Sequence, residues 1–157
     1  MGEPQPTSRF CFVCGRDNPV GLGVRWESDR STGVVQGRVT VPEHFNGYPG
    51  VVHGGIVTAL LDETAGRSLL VDGGFEDLMV TVKLEVSFHR PTPTGEPLTM
   101  VGRLRRRWGR RAEAEAELRR ADGTVTATAT VVLARPPASF TARWEAERPF
   151  WRVDGDS

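Results

Sequence analysis

The stretch Gly50-Val51-Val52-His53-Gly54-Gly55-Ile56-Val57-Thr58-Ala59-Leu60-Leu61-Asp62-Glu63 decides the reading of this chain. It joins a glycine-rich helix start to an acid set inside an apolar helix. Two glycines at the first turn leave backbone N–H groups bare and approachable, at the positive end of the helix dipole. Such an end suits a carbonyl oxygen that gains negative charge. At about 100° per residue, Ile56, Val57, Leu60, Leu61, Thr64 and Val71 share one side, which reads as the core stripe. The opposite side carries Gly55, Thr58, Ala59, Asp62, Gly66 and Leu69. It is too small and too uncharged for a solvent face, so a second surface is expected to pack there, around Asp62. Glu63 lies at the flank, four residues before Arg67, and reads as half of a surface ion pair.

The predicted helix runs from about Gly54 to Val71 and stops at Asp72-Gly73-Gly74. Before it, residues 1–19 read as an irregular arm ending in the turn signal Arg16-Asp17-Asn18-Pro19, strands are expected near 22–27 and 33–41, and Pro42 to Val52 reads as loop. After it, Val80, Val82, Leu84, Val86 and Phe88 alternate with polar residues, the period of a half-buried strand. Further strands fall near 97–107, 111–120 and 124–134. The run Ala112 to Leu118 favours helix by propensity, but its strict alternation and the flanking turns Trp108-Gly109-Arg110 and Ala121-Asp122-Gly123 favour strand. Residues 135–157 form a tail whose Trp144, Phe150 and Trp151 are too apolar to leave in water, so it is expected to dock on this subunit or a neighbour.

The chain has 157 residues, enough for one domain. With 20 basic and 20 acidic residues it offers no general attraction to nucleic acid or anionic membrane. The polar N-terminus and the lack of a long apolar run suggest a cytoplasmic protein. Cys11 and Cys14 form a lone Cys-Phe-Val-Cys, and the three histidines His44, His53 and His89 are scattered. A zinc site usually takes a second such pair, so no metal is expected and the cysteines read as small residues closing a turn before Gly15.

One long helix buried on both faces and followed by antiparallel strands outlines an α+β hotdog fold, with five to six strands wrapping the helix. The residues agree. Gly50 to Gly55 with Asp62 nine residues after His53, and the segment Thr81 to Pro91, resemble the hotdog acyl-CoA thioesterases of the 4-hydroxybenzoyl-CoA and phenylacetate-pathway type. The similarity covers roughly residues 20–134, taken as the domain. It implies hydrolysis of an acyl-CoA without cofactor, by at least a homodimer, with a tetramer of dimers as the larger alternative. The catalytic set it implies is Asp62 as general base or nucleophile, Gly54 and Gly55 at the carbonyl, His53 shaping the loop, and Thr81 orienting water or the carboxylate. Thr81 sits uneasily there, because alternation puts it opposite Val80 and Val82. Asn46 and Glu63 are candidate binding residues, and Arg90, Arg110 and Arg111 are candidates for the phosphates of coenzyme A. The competing functions are a hotdog domain that binds acyl thioesters as a sensor or carrier without cleaving them, and a hydratase or dehydratase of the same fold, which would want a separate acid and histidine that the helix does not show. Geometry adds that Gly54 and Asp62 stand about 12 Å apart along one helix, so a single helix hardly serves one thioester carbon with both.

Overall fold

The computed structural model describes residues 2–155. Its strands are β1 (Glu3–Pro4), β2 (Arg25–Asp29), β3 (Val34–Thr40), β4 (Asn46–Tyr48), β5 (Val51–Val52), β6 (Val80–Phe88), β7 (Pro97–Trp108), β8 (Arg111–Arg120) and β9 (Val125–Ala134), and its helices are α1 (Gly54–Arg67) and α2 (Ala138–Trp144). Seven strands form one antiparallel sheet in the order β1-β2-β3-β7-β8-β9-β6. The expected hotdog arrangement is present, with seven strands in place of five to six.

The sheet wraps α1 because its inner face is built of small residues. Ala112, Ala114 and Ala116 of β8 point inward and are buried, while Glu113, Glu115 and Glu117 alternate outward. This strict alternation overrides the helix propensity of the run. Against that floor rest Leu60, Leu61, Thr64 and Ala65 of α1, all fully buried. Burying the two leucines contributes about 1.5–3 kcal/mol each. Closest approach falls at Gly102 of β7, where a Cβ would meet the Thr64 carbonyl oxygen at 2.7 Å. The Thr64 hydroxyl accepts from the buried indole of Trp26 at 3.2 Å and donates to the Leu60 carbonyl at 2.7 Å, so no polar atom of that contact is left unpaired.

Several elements differ from expectation. The helix tightens into a 3-10 turn at Ser68–Leu70. Leu69, assigned to the small face at a constant 100°, is buried within the chain there, as are its neighbours Ser68, Leu70 and Val71. The arm is not wholly irregular: β1 adds to the sheet, and Gln5 donates to the Ser28 hydroxyl and to the Arg67 carbonyl at the end of α1. The loop Pro42 to Val52 holds the β4–β5 ribbon. The tail contains α2 and a 3-10 turn at Glu145–Phe150, and it docks on its own chain. Arg9 pairs with Glu147 at 2.5 Å, Thr7 bridges Arg152, and Trp151 meets Phe75 edge to face at 6.0 Å.

Strand β6 is the long edge strand of the sheet, opposite the two-residue β1. Val80, Val82 and Phe88 on it are 39%, 50% and 56% exposed, an apolar edge with no partner among the described residues. Beside it the small face of α1, with Thr58, Ala59, Asp62 and Gly66, is only partly covered.

Candidate functional site

At the start of α1 the backbone donors are not equivalent. His53 is the N-cap, and its ring Nδ1 accepts the Gly55 N–H at 2.9 Å, while its carbonyl accepts from Ile56 and Val57 at 2.9 and 3.1 Å. An accepting Nδ1 places the imidazole proton on Nε2, an assignment drawn from this hydrogen bond. Gly55, expected to serve the carbonyl, therefore has its N–H taken. The Gly54 N–H has no acceptor among the described residues, and it opens on a cleft of about 700 Å³ lined by Tyr48, His53, Gly54, Phe88 and Arg90, among others.

The loop leading to this helix is held by a residue that sequence reading missed. Glu43 accepts from the Asn46 amide at 2.7 Å and the Gly50 N–H at 3.0 Å with one oxygen, and from the Thr94 hydroxyl at 2.5 Å with the other. These bonds, led by Thr94, hold its carboxyl below the usual carboxylate range. Asn46 is thus spent on the loop. Nothing in the sequence marks Glu43 beyond its place before a glycine-rich turn.

Asp62 lies further along α1, half-buried. Thr81 Oγ1 donates to its Oδ1 at 2.7 Å, and no cation pairs with it among the described residues. Burial pushes the Asp62 carboxyl above its ordinary value, the Thr81 hydrogen bond pulls it down in part, and neighbouring Glu63 raises it again. Thr81 reaches the acid because the alternation of β6 is broken. The β6–β9 register pairs Thr81 with Leu133 and Lys83 with Val132, so Val82 is an extra residue in a bulge. Thr81 therefore faces the helix side with buried Leu133, and Val80 and Val82, expected to face the helix, are exposed.

Glu63 is not part of a surface pair. Its partner Arg67 is buried, 3% exposed, and donates to Glu63 Oε1 at 3.1 Å, to Cys14 Sγ at 2.9 Å and to the Pro6 carbonyl. The guanidinium also stacks on Trp26 and Trp151, at 4.9 and 5.2 Å. The turn of the arm thus delivers Cys11 and Cys14 to α1 beside Glu63. Hydrogen bonding from Cys14, chiefly its thiol, lowers the Cys11 thiol to about 7. The Cys14 thiol is pushed up by its bond to Cys11 and by burial.

Within one chain these parts face different spaces. Asp62 and Thr81 line a cavity of about 290 Å³ with Cys11, Cys14, Glu63 and Trp151, apart from the Gly54 cleft. Arg90 belongs to the Gly54 cleft. Arg110 lines a third cavity under the tail and donates to the Pro136 carbonyl, and Arg111 begins β8, paired with Trp108 and Ala134. The three arginines are not brought together by one subunit.

Comparison with known proteins gives a consistent picture. A family model described as the thioesterase superfamily matches residues 49–127. A solved protein of the thioesterase superfamily superposes with a TM-score of 0.73 at 35% identity, over 80% of this chain and 63% of that one. A solved phenylacetic acid degradation-related protein from Ralstonia eutropha, named as a candidate thioesterase, superposes with a TM-score of 0.65 at 28% identity, over 72% of this chain and 85% of that one. A candidate esterase of Saccharolobus solfataricus is 34% identical over 87 residues, 55% of this chain. The match spans 61% of that relative's length.

Proposed function

Because this chain belongs to the thioesterase superfamily, we propose that it hydrolyses acyl-CoA thioesters to a free acid and coenzyme A, with Asp62 as the base. The observation that carries this reading is the Asp62 carboxylate itself. It is half-buried at a cavity wall, has no cation partner among the described residues, and has one oxygen engaged by Thr81, which leaves Oδ2 for a water molecule. Burial raises its basicity, in the direction a general base needs. Asp62 takes a proton from water as the oxygen attacks the thioester carbon. The developing oxyanion is met by the Gly54 N–H at the positive end of a helix. Collapse breaks the C–S bond, and the proton held by Asp62 passes to the departing thiolate.

The carbonyl donor and the base come from two chains in this reading. The open small face of α1 and the unpaired apolar edge of β6 support a homodimer in which two α1 helices run antiparallel, bringing Gly54 of one subunit to Asp62 of the other. Arg90 in the Gly54 cleft, and Arg110 and Arg111 at the end of the sheet where β6 begins, are the candidates for the phosphates of coenzyme A. A panel of aliphatic and aromatic acyl-CoAs, with a thiol reagent as readout, tests the proposal. At least one substrate releases thiol; a folded dimer that releases none is a binding module instead.

A further inference from the structure

The arm brings two sulfur ligands and one oxygen ligand to a single point. Cys11 Sγ, Cys14 Sγ and a Glu63 carboxylate oxygen all lie within 4.8 Å of one another. Cys14 Sγ and Glu63 Oε1 are 3.6 Å apart. A tetrahedral zinc ion with bonds of about 2.3 Å to sulfur and about 2.0 Å to oxygen sets such a pair about 3.5 Å apart. The spacing is therefore that of two ligands on one ion, without movement of the backbone.

The local chain is also shaped for it. Tight closure of the turn demands Gly15, where a Cβ would sit 2.6 Å from the Cys11 carbonyl oxygen and 2.7 Å from the Cys11 nitrogen. The pairing of a two-cysteine turn with a helix carboxylate could not be seen from spacing alone, because Glu63 lies 49 residues from Cys14.

We propose that Cys11, Cys14 and Glu63 bind a thiolate-preferring divalent metal of the zinc class, with the fourth position open to water in the cavity that also holds Asp62. Binding forms two metal–thiolate bonds and one metal–carboxylate bond and releases the protons of the two thiols to solvent. Charge balances locally: two thiolates and one carboxylate offset the divalent ion and the Arg67 guanidinium. Arg67, 2.9 Å from Cys14 Sγ, supports that thiolate from outside the coordination sphere. The ion clamps the N-terminal arm to α1, one residue from Asp62, and fixes the wall formed by Cys11 and Cys14. It needs no thioester chemistry, so its test stands apart from that of hydrolysis.

The test uses the full chain, purified under reducing conditions without chelator, with metal content measured after gel filtration. Metal-depleted protein is then titrated with Co²⁺ and with Zn²⁺. One equivalent per chain is expected, with the near-ultraviolet absorption of thiolate bound to Co²⁺ and the visible bands of a tetrahedral ion. Cys11→Ser and Cys14→Ser each abolish these bands, and Glu63→Gln weakens Zn²⁺ binding by roughly 10-fold or more. Zn²⁺ raises the melting temperature of the parent chain but not of Cys11→Ser, whose position is only half-buried and tolerates the change. The proposal is overturned if reduced parent protein, with both thiols counted as free, binds Co²⁺ no better than the folded Cys11→Ser chain. Retention of full affinity in Cys11→Ser and Cys14→Ser overturns it equally, since the ion then sits elsewhere.

Discussion

Replacing Asp62 by Asn and Glu63 by Gln separates two adjacent acids that the structure treats very differently. Asp62 has a hydroxyl donor, a cavity and, among the described residues, no cation; Glu63 is the counter-charge of an arginine whose side chain is 3% exposed. Asn at position 62 keeps the shape and an acceptor for the Thr81 hydroxyl but cannot take a proton from water. Turnover should fall by roughly 10²–10⁴-fold, the range for loss of a general base, or about 2.7–5.5 kcal/mol in barrier height. Stability should not fall with it, because the change removes a partly desolvated charge. Gln at position 63 instead leaves the Arg67 charge without its carboxylate, a cost of about 1–3 kcal/mol, seen as several degrees in melting temperature for a chain of this size. Thiol release and thermal melts on both variants provide the assay. Equal losses of turnover in two chains that melt normally would refute the assignment of the chemistry to Asp62.

Three further outcomes follow from the same geometry. Activity should rise with pH through a value above that of an ordinary aspartate, because Asp62 acts ionised and burial raises it; over that same window the folded chain holds a proton that the unfolded chain has lost, so stability falls as pH rises, and Asp62→Asn abolishes this dependence. Thr81→Val removes a donor that lowers Asp62, so the pH–rate limb should move up and turnover should drop by roughly 10- to 100-fold, the scale of a hydrogen bond to a charged group; an unmoved limb would separate Thr81 from the acid. Val82→Arg, at the exposed bulge of the β6 edge, should give a monomer by light scattering with little residual activity, and a stable, active dimer would place the interface elsewhere.

Much of this was legible because it is local. The glycine-rich start of α1, its core stripe and the alternation of β7 to β9 are written in patterns of 3.6 and 2.0 residues, and they fix the helix and most of the sheet. Asp62 stood out because an acid on a small, uncharged face lacks a local reason. The bulge at Val82 was not legible, since one extra residue leaves the hydrophobic alternation looking intact while it turns Thr81 to the other face. Nor were the partners of Arg67 visible. An i,i+4 pair reads the same on a surface as beneath an arm, and only the fold brings Pro6, Cys14 and Trp151 over it. The division of labour at Gly54 and Gly55 depends on a ring orientation of His53 that no spacing encodes.

Mixed dimers test the shared site most directly. Gly54 and Asp62 stand about 12 Å apart on one helix and line separate spaces, so a Gly54→Val chain and an Asp62→Asn chain should each form inactive homodimers. A Cβ at Gly54 meets the Phe88 ring at 3.6 Å, and the branches of valine fill the approach to the Gly54 N–H. Refolding equal amounts together creates, in half of the dimers, one site with both groups intact and one with neither. Recovery of about a quarter of wild-type activity is the predicted result under random pairing. Mixed dimers verified by mass that remain as inactive as either parent would contradict the account.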